Sequence, residues 1–137
     1  MHEDAKEPSY ARNGDAGADL SCVEDFSLNP AEYKLVSTGI AIAIPDGYVG
    51  LIHPRSGLAM KHGITVLNSP GTIDSGYRGE IKVILINHGS ARYDFVNGER
   101  IAQLIVQKFE HANFILSNLD ETERSSRGFG STGTIDV

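Results

Sequence analysis

Two carboxylates in glycine-rich surroundings, Asp19 in "DAGADL" and Asp74 in "SPGTIDSGYRG", are the first residues whose setting suggests chemistry. Glycine lets a backbone bend tightly or approach a ligand closely, so a carboxylate among glycines can face a bound molecule. One such group can take a proton from water as a general base. The other can hold a hydrated Mg²⁺, the hard cation that accompanies nucleoside phosphates. The plainer alternative for both is a turn aspartate bonding its own backbone.

Two further segments suit anions. In "PRSGLA", Arg55 and Ser56 stand where a short helix would begin, and unpaired amides there favour negative charge; a surface arginine beside an N-cap serine reads equally well. In "GFGSTG", the glycines allow several amides to converge on one point, a nest for phosphate oxygens to which Ser131 and Thr132 add hydroxyls. A flexible tail has the same composition, but it leaves Phe129 unexplained, because an aromatic between glycines suits stacking on a planar ring. His2, His53, His62, His88 and His111 show no HxxxH spacing, so no zinc site is expected.

The elements that must position these residues read as β-strands. A chain of 137 residues, 40% hydrophobic and 22% charged, fits one folded domain. Its net charge of -6 argues against a broad nucleic-acid-binding face, which shows as a basic excess. Cys22 is the sole cysteine, which excludes an intrachain disulfide, suggests a reducing, cytoplasmic setting, and reads as a small apolar strand residue. The polar opening "MHEDAKEPSYAR" lacks a signal-peptide core, and there is no run of about 18 apolar residues that could cross a membrane.

Short apolar runs broken by Gly, Pro, Asn and Asp give the all-β pattern. Strands are expected in "KLVSTGIAIAIP", as two pieces around Thr38 and Gly39, and in "YVGLIHP", "EIKVILIN" and "RIAQLIVQKF". Within "EIKVILIN", Ile81, Val83 and Leu85 share one face. The one helix candidate is "SGLAMKHG", with Ser56 as cap and Gly63 as its end. The tail "ERSSRGFGSTGTIDV" is too poor in apolar residues to build a core of its own.

Taken in order, these segments resemble the homotrimeric deoxyuridine triphosphate nucleotidohydrolases, the dUTPase family, over roughly residues 14–133. The resemblance implies a distorted antiparallel jelly roll (β-clip) with one short helix. The polar opening at 1–12 reads as a flexible N-terminus, and the resemblance implies a β domain at 13–118 and an arm at 119–137 that closes over an active site. The implied reaction is hydrolysis of dUTP to dUMP and pyrophosphate with Mg²⁺, in a cytoplasmic homotrimer whose sites are shared between chains. Residue by residue, it implies Asp74 as the base that activates water and Asp19 as a contact to Mg²⁺ through water. Arg55, Ser56, Gly57, Gln103 and Arg124 match phosphate contacts. Asn68 with Gly71, Thr72 and Ile73 match the readers of uracil in a β-hairpin pocket. Tyr77 matches the residue under the deoxyribose, Phe129 the ring stacked on the base, and Gly130, Ser131 and Thr132 the phosphate nest.

One departure is visible: Ser125, Ser126 and Arg127 follow Arg124 where the family pattern is richer in glycine, which leaves two arginines competing for the terminal phosphate. Two rival readings are a dUTP-binding trimer without catalysis and a relative of the dCTP deaminases. The latter carry a glutamate ten positions past the shared aspartate, where this chain has Ile84, a residue that cannot transfer protons.

Overall fold

In the strand β7 (Lys82–Asn87) residues alternate between exposed or half-buried and buried positions, and Val83, Leu85 and the preceding Ile81 are each at most 1% exposed. A side chain of that size removed from water contributes roughly 1.5–3 kcal/mol, so the period-2 pattern decides which face turns inward. The computed structural model describes residues 2–128 and is built from antiparallel strands around this face.

Strand β7 is the middle of a three-stranded sheet, between β3 (Tyr33–Ser37) and β5 (Ile64–Val66). A four-stranded sheet runs β1 (Ala18–Ser21), β9 (Arg100–Lys108), β4 (Tyr48–His53) and β6 (Gly71–Ile73), in that order. A two-stranded ribbon joins β2 (Phe26–Leu28) to β8 (Tyr93–Phe95), and the rings of Phe26 and Phe95 stack at 4.5 Å. The inward faces form one core that includes Leu20, Leu28, Val36, Ile52, Ile81, Leu85, Ile101 and Leu104. This is the all-β arrangement of a distorted jelly roll, with one short helix.

Three local expectations change. Helix α1 (Ser56–His62) starts one residue earlier than expected: Arg55 is the N-cap, makes no side-chain capping bond, and leaves Ser56 as the first helical residue. Gly63 ends the helix as expected, in the left-handed conformation at φ 68. Residues 40–45 form no strand, although Ile40 and Ile44 are buried and the Ile40 carbonyl accepts the Ile81 N–H. The expected hairpin around Asp74 is not a paired hairpin, because β6 pairs with β4 while β7 pairs with β3 and β5. The segment 74–81 therefore carries the chain from one sheet to another.

Two terminal segments frame the site. Residues 2–12, read from composition as flexible, make several contacts to the body: His2 N–H donates to Gly39 O, Lys6 Nζ to Gly98 O, and Ser9 forms a β-bridge with Asp19. At the other end every residue from 106 to 127 is exposed, and regular structure stops at Lys108. Phe114 (94% exposed), Ile115, Leu116 and Leu119 lie in that stretch.

Candidate active site

One end of the four-stranded sheet opens into a cavity of about 560 Å³. Strand β1 supplies Asp19, β9 supplies Gln103 opposite it in register, the link after β4 supplies Arg55, and the first turn of α1 supplies Ser56 and Gly57. The site residues named from three separate sequence segments thus meet in one place. The Asp19 carboxylate, whose side chain is 16% exposed, sits between two guanidinium groups: Arg55 Nε at 3.2 Å and Arg100 Nη1 at 3.0 Å. Arg55 Nη1 also donates to the Arg100 carbonyl at 3.0 Å. These charged bonds hold both arginines at the cavity wall.

Gln103 is placed by Gly17. Its Nε2 donates to the Pro54 carbonyl at 2.9 Å, and its side chain lies where a Cβ on residue 17 would stand. This gives the glycine of "DAGADL" a packing reason, since any larger residue there would push Gln103 out of the cavity.

Arg100, Arg12 and Asp15 also line this cavity and were not singled out from the sequence. Arg100 escapes strand alternation because of a bulge. Leu20 pairs with Ala102 and Ser21 with Arg100, so Ile101 is an extra residue on β9. Ile101 and Ala102 are buried consecutively, and Arg100 is turned toward Asp19. The preceding Glu99 anchors the bulge: its carboxylate accepts from Tyr93 Oη at 2.7 Å and from Val96 N–H at 3.2 Å. The hydrogen bond to Glu99 pushes the Tyr93 phenol up to about 12, with partial burial adding to the shift.

A second cavity, of about 500 Å³, holds Thr72, Ile73, Asp74 and Tyr77, with Leu35, Glu80 and Lys82 opposite. Thr72 and Ile73 are fixed by pairing with Leu51 and Gly50 of β4. The turn from Asp74 is closed by Tyr77 N–H donating to Asp74 O, and Tyr77 Oη donates to Glu80 O, both at 3.0 Å. The ring lies against Gly79 so closely that a Cβ there would collide with it, which explains that glycine and holds the half-exposed tyrosine in place. Asn68 lies just before β6, with its side-chain amide beside Gly71. Glu80 Oε1 accepts the Gly39 N–H at 2.8 Å, and this bond, helped by Lys82, holds its carboxyl below its ordinary value.

The two cavities share no lining residue. Strands β9 and β6 lie on opposite sides of β4, two strand spacings or roughly 10 Å apart. Within one chain, Asp74 is therefore not brought to Arg55, Ser56 and Gln103. Arg124 stands apart from both, in an exposed turn where its Nε donates to Arg127 O and the Arg127 Nε donates to Arg124 O. Phe129, Gly130, Ser131 and Thr132 lie outside the described residues.

As a metal site, the first cavity offers few ligands. Among the described residues no group of three or more His, Cys, Asp or Glu side chains could hold an ion. The Asp19 carboxylate is already shared by two arginines. Such a donor set fits a Mg²⁺ that arrives on phosphate oxygens and keeps its waters, rather than one held in a protein cage.

The chain is thus an all-β protein with an arginine- and amide-lined cavity, a lining of the class that suits small anions, and a separate pocket bearing a carboxylate and a tyrosine. The comparisons with known proteins narrow this class. The family model described as dUTPase matches residues 3–133. The deoxyuridine 5'-triphosphate nucleotidohydrolase of Thermobifida fusca is 56% identical over 128 residues, covering 92% of this chain and 72% of its own. Among solved structures, the Staphylococcus bacteriophage 80alpha dUTPase with dUPNHPP superposes with a TM-score of 0.89 at 28% identity, covering 97% of this chain and 95% of that one. A variant of the dUTPase from phage phi11 of S. aureus, which coordinates a structural Mg(II) ion, has a TM-score of 0.77 at 26% identity and covers 89% and 94%. The chain belongs to the dUTPase family.

Proposed function

We infer that this protein hydrolyses dUTP to dUMP and pyrophosphate, by attack of a water on the α-phosphorus. The observation that carries the reading, in a chain of this family, is the division of chemistry between two cavities: arginines and an amide in one, a carboxylate beside an aromatic ring in the other. Asp74 accepts the proton of the attacking water. Arg55, Ser56, Gly57 and Gln103 bind phosphate oxygens and spread the charge that develops in the transition state. Asn68 and the backbone from Gly71 to Ile73 read the uracil edge, and the fixed ring of Tyr77 excludes a 2'-hydroxyl. Mg²⁺ bound to the substrate would neutralise phosphate charge, with Asp19 orienting one of its waters. Arg124 takes the terminal phosphate, Phe129 covers the base, and Gly130, Ser131 and Thr132 close on the phosphates.

We assign these roles to more than one chain, because Asp74 and the arginines line separate cavities within a single protomer. A homotrimer with shared sites meets this need. Support comes from apolar surface that a lone chain leaves in water: Tyr33 (65% exposed) and Leu35 (55%) pair in register with the half-buried Ile86 and Ile84, and Phe114, Ile115, Leu116 and Leu119, leading into the arm, are bare.

The test is pyrophosphate release from dUTP, dTTP, UTP and dCTP in parallel, with Mg²⁺ and with chelator, together with the mass of the assembly in solution. Release from dUTP alone, sharply reduced by chelator, by a particle of three chains is the expected outcome. Tight dUTP binding without release would refute catalysis, and a fully active monomer would refute the shared site.

A further inference from the structure

We propose that Arg12 is an additional phosphate-binding residue of the arginine cavity, contacting the pyrophosphate portion of the substrate. The proposal rests on the dUTP reading above but concerns a residue outside the segments that carried it. Three arginines line the cavity, Arg12, Arg55 and Arg100, with two aspartates, Asp15 and Asp19. The guanidinium groups of Arg55 and Arg100 are both engaged by the single carboxylate of Asp19. The Arg12 guanidinium makes no ion pair among the described residues, so it is the wall's unspent positive charge. A guanidinium is the side chain best shaped to take two phosphate oxygens at once.

The backbone holds Arg12 at this position. Its N–H donates to Asp15 Oδ2 at 2.8 Å, and the Asp15 N–H donates back to Arg12 O at 3.2 Å. Asp15 Oδ2 is thereby engaged in closing the turn, and although its carboxylate keeps its charge, the three arginines of the wall still outnumber its two aspartates. Three residues earlier, the Ser9 carbonyl accepts the Asp19 N–H at 2.9 Å, which ties the N-terminal strap to the strand that carries the cavity's central carboxylate. The strap thus has a functional reason to be docked: it delivers a cation to the cavity wall.

The experiment compares wild-type protein with Arg12→Ala and Arg12→Lys, using steady-state dUTP hydrolysis and calorimetric binding of pyrophosphate and of dUMP. Loss of a charge-assisted phosphate bond is expected to raise KM for dUTP about tenfold or more in Arg12→Ala and to weaken pyrophosphate by a similar factor. kcat is expected to stay within about threefold and dUMP affinity within about twofold, since dUMP has no pyrophosphate portion. Arg12→Lys is expected to recover part of the loss, and thermal unfolding of both variants to match wild type. Unchanged pyrophosphate affinity in Arg12→Ala would overturn the proposal, as would equal weakening of dUMP. Failure of the wild-type protein to release pyrophosphate from dUTP would instead count against the activity, while the pyrophosphate binding comparison would still decide the role of Arg12.

Discussion

Replacing Gly17 by Ala tests whether the sequence of the strand β1 entry is dictated by Gln103 on the neighbouring strand. The φ of Gly17 lies outside the left-handed region, so alanine carries no backbone penalty there and its methyl group is the whole perturbation. That methyl would stand 2.9 Å from Gln103 Cδ and 3.1 Å from Gln103 Cβ. The contact at Cδ is relieved only if the amide end swings to another rotamer and gives up the bond to the Pro54 carbonyl, while the contact at Cβ, which no rotamer moves, asks for a small backbone shift between the two segments. Overpacking of this kind costs about 1–3 kcal/mol, of which about 1 kcal/mol is the hydrogen bond. For a domain of this size that corresponds to roughly 3–10 °C in Tm. The assay is a double-mutant cycle by thermal unfolding at fixed protein concentration, with Gly17→Ala, Gln103→Ala and both. Once Gln103 is cut back to its Cβ, most of the contact is gone, so Gly17→Ala should cost less than about 0.5 kcal/mol in that background. The same variant should raise KM for dUTP, because Gln103 is displaced from the cavity. Equal destabilisation in both backgrounds, or none in either, would refute the argument.

Three other outcomes are expected. Asn87 is fully buried and its amide bonds Leu28 O, Ala91 O and the Gly89 N–H, so Asn87→Leu should destabilise by about 3 kcal/mol or more through unpaired backbone groups, measurable by denaturant unfolding; a loss under 1 kcal/mol would show that water replaces these bonds. Glu80 titrates below its ordinary value of 4.5 in the folded chain, chiefly through the Gly39 N–H, so its contribution is present above pH 4.5 and fades as pH falls through the folded value. Wild type should therefore lose stability more steeply than Glu80→Gln below about pH 4.5, and parallel pH curves would contradict the assignment. Asp74→Asn should lower kcat by about two orders of magnitude or more while dUTP still binds, since only the proton acceptor is lost; near-normal turnover would exclude Asp74 as the base.

Much of this molecule is legible without coordinates because its signals are local. Alternation over Ile81 to Leu85 names the inward face of β7, since the strand period is a property of the backbone alone. Gly63 ends α1 because the left-handed conformation favours glycine. The ordered segments around Asp19, Arg55, Asp74 and Gln103 identify the family before any distance is known. The single cysteine likewise leaves no partner for an intrachain disulfide.

Tertiary structure decided what depends on neighbours distant along the chain. The partners of β6 and β7 turned an expected hairpin into a link between two sheets, because pairing energy is settled by which edge is available and not by the turn between the runs. The bulge at Ile101, invisible to a period of two, aims Arg100 at Asp19, some 81 residues earlier in the chain. Docking of the N-terminal strap through Ser9 brings Arg12 to the same wall, although its composition reads as solvated. Most consequentially, the fold places Asp74 and the arginines in different cavities. Residue types and spacing can name the parts of a reaction, but only packing in three dimensions decides which parts one chain can bring together.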